Sequence, residues 1–259
     1  MTIQLQELRG YISELYSDVA RFPRARFHFA TGRPLMEHLG YPAEVLDRIP
    51  ASSVECFAGV GYHFGLAPLR EGEAVLDVGA GAGSDTFFAA ACVGPQGRAV
   101  GVDMTDAMVA KAAEGIAAFE HDNVHFERGY AEELPFEDAS FDCVTSNGVV
   151  NLTPDKDSVF AGIHRVLKPG GRLVLSDIVT GVELPPSIRE SCELWAECIG
   201  GAELEQRYVQ LIHASGLHVQ DVRRNDYRFI QDSTAQAADK FKVHSISVFA
   251  RKPGDGYGP

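Results

Sequence analysis

The stretch EGEAVLDVGAGAGSD, residues 71–85, decides the fold. Its first half is a short apolar run, AVLDV, of the kind that forms a buried strand. Its second half places glycines at 79, 81 and 83, and the helical run SDTFFAAACV follows until Gly94-Pro95 stops it. Glycines at the carboxyl end of a first strand let backbone come close to a ligand, and the next helix offers free N–H groups. In a doubly wound sheet, a nucleotide-like ligand sits at that point.

Working outward, the same alternation repeats. RAVGVDM (98–104) reads as a strand and DAMVAKAAEGIAAFE (106–120) as a helix, with Thr105 or Asp106 as its cap. VHFERGY, FDCVTSNGVV and RLVLSDIV are further strands, with the helix KDSVFAGIHRVLK between the last two. Helices are also expected around RESCELWAECIGG (189–201) and QRYVQLIHAS (206–215), and strands at VQDVRRNDYRFIQ and HSISVFARK. Strands alternating with helices imply an α/β, doubly wound, mostly parallel sheet covered on both faces, and the last strand pair would close it antiparallel. Residues 1–70 read as an N-terminal helical extension. Apolar residues recur at helical spacing from Ile3 to Ala20, Pro23, Gly32 and Pro34 break that run, and AEVLDRI forms a short helix between Pro42 and Pro50. The expected organisation is thus a helical cap over 1–70 and one α/β domain over 71–259.

Composition narrows the partners. The chain has 259 residues and a formal net charge of −13, which speaks against a sequence-independent grip on nucleic-acid phosphates. No run approaches the length of a membrane-spanning helix, and the charged N-terminus lacks the apolar core of a signal peptide, so a cytoplasmic protein is expected. Five cysteines, at 56, 92, 143, 192 and 198, have no zinc-like spacing and read as reduced thiols; no metal site is expected.

Asp103 ends the second strand, where a carboxylate can accept two hydrogen bonds from ribose hydroxyls. A dinucleotide and S-adenosylmethionine both fit that placement. A dinucleotide loop wants G-x-G-x-x-G, whereas the third glycine place here is Ser84 and the spacing is G-x-G-x-G. The glycine loop alone leaves the two open.

The wider motif series separates them. EGEAVLDVGAGAGSD, GRAVGVDMTDAM, AEELPFEDASFDCVTSNGVVNLTPDK and IHRVLKPGGRLVLSDIV, spanning 71–180, resemble the motifs of class I S-adenosylmethionine-dependent methyltransferases, with their Rossmann-like sheet. FAGVGYHF, GVDMT, SNGVVNLTPDK and CIGGA resemble the arsenite methyltransferase branch more narrowly. The resemblance implies S-adenosyl-L-methionine as cofactor and a set of roles for matching positions. Gly79 and Gly81 would pass the methionine moiety, with Asp77 near its amino group. Asp103 would hold the ribose, Met104 the adenine face, and Ala131 and Glu132 the adenine edge. Asn147 and Gly148 would meet the methionine end.

The chain departs from that branch in its thiols. Trivalent arsenic is soft and is held by thiolates, and the family supplies cysteines at three places. Here two of those places are Val60, in Gly59-Val60-Gly61, and Gly148, in Ser146-Asn147-Gly148, and only Cys198 remains. The expected function is therefore methyl transfer to a small-molecule acceptor other than arsenite. Arsenite methylation with Cys56 or Cys192 as substitute thiols, and a non-catalytic binding module, are the alternatives. Phe27, Trp195 and Cys198 are candidate acceptor contacts, on helices around 185–202 and on the N-terminal segment. His28 and Cys198 are the candidate catalytic groups, since an oxygen or carbon acceptor usually needs a base. His63 is a second candidate base, and Arg33 and Arg189 could pair with an acceptor carboxylate.

Overall fold

The computed structural model describes residues 5–230 and 232–254; Ile3 and Gln231, which fall in an expected helix and strand, lie outside the described residues. The glycine-loop strand is β1 (Ala74–Val78), and all five of its residues are buried, as befits a central strand. Around it stand β2 (Arg98–Asp103), β3 (Val124–Arg128), β4 (Phe141–Asn147), β5 (Leu167–Thr180), β6 (Glu203–Leu204), β7 (His218–Arg224) and β8 (Val243–Arg251). They form one sheet in the order β3-β2-β1-β4-β5-β8-β7, with β6 added beside the end of β5. Strands β1 to β6 pair in parallel, and β8 runs antiparallel to both β5 and β7. The doubly wound sheet and its antiparallel close are as the sequence indicates.

Alternation along β1 explains how the faces are filled. Leu76 and Val78 join the cluster under α7 (Lys156–Val166) and α10 (Glu205–Ala214), with Phe160, Ile163 and Tyr208. Val75 joins the opposite cluster with Phe87 and Phe88 of α5 (Ser84–Val93). The N-terminal segment shares this second core, because Met36, Tyr41, Leu46 and Phe57 pack into it. That segment comprises α1 (Leu5–Arg21), α2 (Arg33–Leu39), α3 (Ala43–Leu46) and α4 (Ala51–Val54). Helix α6 (Asp106–Ile116) begins after Thr105 and ends four residues short of the expected Glu120.

Two local differences matter for the site. The expected helix over 189–201 is instead two short pieces, α8 (Pro186–Arg189) and α9 (Cys192–Ala196). Cys198 lies beyond both, at φ +65°. The cause is the pair of glycines that follows. A Cβ at Gly201 would overlap the Asn151 carbonyl oxygen and stand 2.7 Å from the Trp195 ring, so the chain turns tightly where composition favours helix. The other difference is α11 (Asp232–Phe241), which lies between the two final strands and which the sequence reading omitted.

Candidate functional site

In the order β3-β2-β1-β4 the chain reverses direction of winding at β1, and the carboxyl ends of these parallel strands open on one side. A cavity of about 1020 Å³, counted with its mouth, lies there. Asp77 comes to it from β1, Asp103 and Met104 from the end of β2, and Asn147 and Gly148 from the end of β4. Gly79 and Gly81 form its floor, Ala131 and Glu132 its side, and Leu8, Arg9, Ile12 and Tyr16 of α1 lie across it. Every residue expected to bind the cofactor thus lines one space.

The glycine loop has the shape this requires. Gly79, Gly81 and Gly83 have φ of +76°, +54° and +88°, a conformation other residues adopt at a cost. A Cβ on Gly81 would meet only the Met108 sulfur, at 3.9 Å, and would otherwise project into the cavity. Asp103 is held by two backbone amides, Gly81 N–H to Oδ2 at 2.9 Å and Thr105 N–H to Oδ1 at 2.8 Å. A carboxylate accepts about four hydrogen bonds, so this grip leaves acceptor capacity facing the cavity. Burial raises its pKa, and the amides oppose the rise.

A carboxylate pair, Asp77 and Asp85, was partly hidden in the sequence. Asp77 accepts from Thr86 Oγ1 at 2.7 Å, and Asp85, one residue into α5, accepts from Tyr41 Oη at 2.5 Å and Asn147 Nδ2 at 2.9 Å. All three donors are neutral. Burial and the neighbouring Asp85 push the Asp77 carboxyl well above its usual range, and burial pushes Asp85 to about 6. Two buried acids with neutral partners suit a cation. A fixed diol acceptor at Asp103, an ammonium-seeking pair at Asp77 and Asp85, and an open glycine floor fit S-adenosylmethionine. Asp85, Tyr41 and Arg9 were not found from sequence. The signal available for Asp85 was an acid directly after the glycine loop, and Arg9 shows itself only in space, 3.4 Å from Glu132 and stacked 3.8 Å over the Tyr130 ring.

The side on which the sequence places the acceptor is apolar. A Cβ on Gly148 would touch Val60 Cγ1 at 3.4 Å, so the two places that lack the family thiols are neighbours in space. Val60, Trp195 and Cys198 pack in one cluster with Tyr16 and Tyr227. Cys198 does not itself line the cavity; its thiol hydrogen-bonds with Tyr16, which does. Burial pushes the Cys198 thiol up to about 12 and that of Cys56, which lines the cavity, to about 11. Among the described residues no three His, Cys, Asp or Glu side chains are grouped so as to hold a metal ion.

The remaining candidates are not on the wall. Phe27 stacks on Phe29, and His28 lies edge-on to the same ring, buried and pushed down to about 4 by burial. His63 is fully buried between Thr145 and Ser176 hydroxyls, with its pKa lowered to about 3. Arg33 is engaged by Glu37 and Asp47, and Arg189 by Glu183 and Glu203. Trp195 faces away from solvent, its indole N–H bound to the Arg189 carbonyl at 2.7 Å.

Comparison with known proteins agrees with the geometry. A family model described as a methyltransferase domain matches residues 69–216, more than half of the chain. An arsenite methyltransferase from Halobacterium salinarum is 36% identical over 219 residues, covering 84% of this chain and 56% of the relative. The chain therefore spans about half the length of the curated arsenite methyltransferases it matches. A demethylmenaquinone methyltransferase from Lactococcus lactis subsp. lactis is 38% identical over 124 residues, 48% of either chain. The crystal structure of an arsenic (III) S-adenosylmethionine methyltransferase from Chlamydomonas reinhardtii superposes with a TM-score of 0.65 at 30% identity, covering 88% of this chain and 76% of that one. Sequence motifs, sheet order and these likenesses converge: the chain belongs to the class I S-adenosylmethionine-dependent methyltransferases.

Proposed function

We propose that this protein transfers a methyl group from S-adenosylmethionine to a small, uncharged organic acceptor rather than to trivalent arsenic. The observation that carries the acceptor reading is Val60 against Gly148, an apolar contact at the two places where the resembling branch supplies thiols. The surviving Cys198 is a neutral thiol, and arsenic is bound by thiolates.

When bound, S-adenosylmethionine supplies an electrophilic methyl on a sulfonium. What the chain contributes is placement and exclusion of water. Asp103 holds the ribose end, Asp77 and Asp85 the amino group, and Met104, Ala131 and Glu132 the adenine. Asn147 ties the two sides together: its Oδ1 accepts from Val60 N–H at 2.8 Å, and its Nδ2 donates to the Gly61 carbonyl at 3.0 Å and to Asp85. Helix α1 covers the cavity, with Tyr16 between Asp103 and the Cys198–Tyr227 pair. Alignment of acceptor and methyl in a closed, dry site is a large part of what a direct displacement needs. Phe27, Trp195 and Cys198 stand behind this first layer. His28, neutral at pH 7, is available to take a proton only if the Phe27–Phe29 segment admits the acceptor.

The test is a panel of acceptors with methyl-labelled S-adenosylmethionine, containing arsenite with a thiol reductant, aromatic hydroxy compounds and a demethylated quinol. Label transfer to an organic acceptor and none to arsenite is the expected result. Efficient methylation of arsenite, or tighter binding of a nicotinamide dinucleotide than of S-adenosylhomocysteine by calorimetry, overturns the proposal.

A further inference from the structure

Lys156 opens α7, the end of a helix where a positive charge is disfavoured, and it is only 7% exposed. A buried ammonium in that place needs acceptors close by. It has two, the carbonyl oxygens of Thr153 at 2.7 Å and Asn151 at 3.2 Å, and its Nζ stands 5.2 Å from the Trp195 ring centre. Leu152, Thr153 and Pro154 line the cavity, so the ammonium grips the back of a cavity wall.

The residue between the two sides is Asn151. Its N–H donates to Asp177 Oδ2 at 2.8 Å, its carbonyl accepts from Lys156, and its Nδ2 donates to the Cys198 carbonyl at 3.3 Å. Gly201 packs without a side chain against the same carbonyl and the Trp195 ring. Cavity wall and acceptor-side turn therefore meet at one buried cation.

We propose that Lys156 is a positioning residue whose ammonium locks the Leu152–Pro154 wall of the cavity to the Trp195–Cys198 turn, and that loss of its charge releases both. The inference rests on the proposed function only where it concerns cofactor binding. The charged groups that face Lys156 are Asp177 on β5, Glu203 on β6, Arg189 on α8 and Glu132 beyond β3, and Trp195 faces it from α9. Burial lowers the ammonium to about 8, and Asp177, at about 6, is already ionised there. Lys156 is thus set to lose its charge within a range the folded protein can be examined in.

Trp195 is the one tryptophan of the chain, so its emission reports on the surroundings of this one ring, of which Lys156 is part. Emission is followed from pH 7 to 9.5 for the wild type, Lys156→Met and Lys156→Arg, each checked for fold by circular dichroism. S-adenosylhomocysteine binding is measured at both ends of the range. The wild type is expected to show an emission transition centred near pH 8, and both variants none. A group with that pKa is charged in about 90% of molecules at pH 7 and about 10% at pH 9, so wild-type affinity should fall about tenfold beyond the fall seen in Lys156→Arg. That variant keeps its charge and corrects for titration of the ligand's own amine. Lys156→Met, which carries no charge at any pH, should bind more than about tenfold more weakly than wild type at pH 7. An emission transition that persists in Lys156→Arg overturns the lock, as does wild-type affinity in Lys156→Met. The emission measurement needs no ligand, so a wild type that fails to bind S-adenosylhomocysteine at pH 7 counts against the proposed function alone.

Discussion

Raising the pH from 5 to 7 is expected to tighten S-adenosylhomocysteine binding by about tenfold, because the proposed placement of the ligand ammonium against Asp85 needs that carboxyl ionised. Burial lifts Asp85 from 3.8 to about 6, a shift of about 2 units that disfavours its charged form by about 3 kcal/mol. Its hydrogen bonds from Tyr41 and Asn147 offset only part of the burial. The sign follows from proton counting. Between about pH 4 and 6 the folded protein keeps a proton that the unfolded chain has released, so stability without ligand falls as pH rises through that window. A ligand ammonium reverses the preference, so binding expels the proton and gains affinity over the same range. With a pKa of about 6, Asp85 is ionised in about 10% of molecules at pH 5 and about 90% at pH 7, which gives the tenfold ratio. Calorimetry at pH 5 in buffers of differing ionisation enthalpy should find close to one proton released per ligand. Asp85→Asn should bind more weakly and lose most of the slope. Affinity that is flat from pH 5 to 7, or a full slope retained in Asp85→Asn, refutes the reasoning.

Other substitutions separate the parts of the site. Asp103→Ala strands the Gly81 and Thr105 amides and removes the proposed ribose acceptor, so calorimetry should show cofactor binding weaker by about 2–3 kcal/mol. Cys198→Ala is expected to leave S-adenosylhomocysteine affinity within about twofold while lowering stability by about 1 kcal/mol in a denaturant titration, since the thiol is buried behind Tyr16. Loss of cofactor binding in that variant would contradict the placement of the turn. Gly201→Ala drives a methyl into the Asn151 carbonyl and the Trp195 ring, and a thermal melt should register a loss of about 3 kcal/mol.

What the sequence made legible was local. The strand that carries Asp77, the glycine loop and Asp103 are each fixed by period, turn chemistry and chain order within a few residues, and Asp77, Gly79, Gly81 and Asp103 all line the cavity. What it hid depends on distance along the chain. Tyr41 reaches Asp85 across 44 residues and Asn147 reaches it across 62, and neither contact leaves a trace in composition. The stretch CELWAECIGG reads as helix because its residues favour one. Only the packing of Gly200 and Gly201 on the Trp195 ring shows why the helix ends at Ala196 and leaves Cys198 in a left-handed conformation. Lys156 is a similar case: a lysine early in a helix suggests a solvated charge until the carbonyls of Asn151 and Thr153 are seen around it.

The same two loops carry the Asn147 brace and the two places of the family thiols on different side chains. Asn147 joins the segment Gly59–Gly61 to Asp85 through its amide, using only backbone atoms of Val60 and Gly61. The side chain at 60 and the bare position at 148 face each other without taking part in that brace. A change of side chain at either place therefore leaves the Asn147 brace in position, and under the proposed function it alters the side of the cavity that the acceptor meets. This separation gives a physical route by which a chain can keep the motif series of arsenite methyltransferases while, under the proposed function, its acceptor choice is set at Gly148, which lines the cavity, and Val60 packed behind it. On the proposed function, the substrate of this chain is therefore to be judged from positions 60 and 148 rather than from the glycine loop or Asp103.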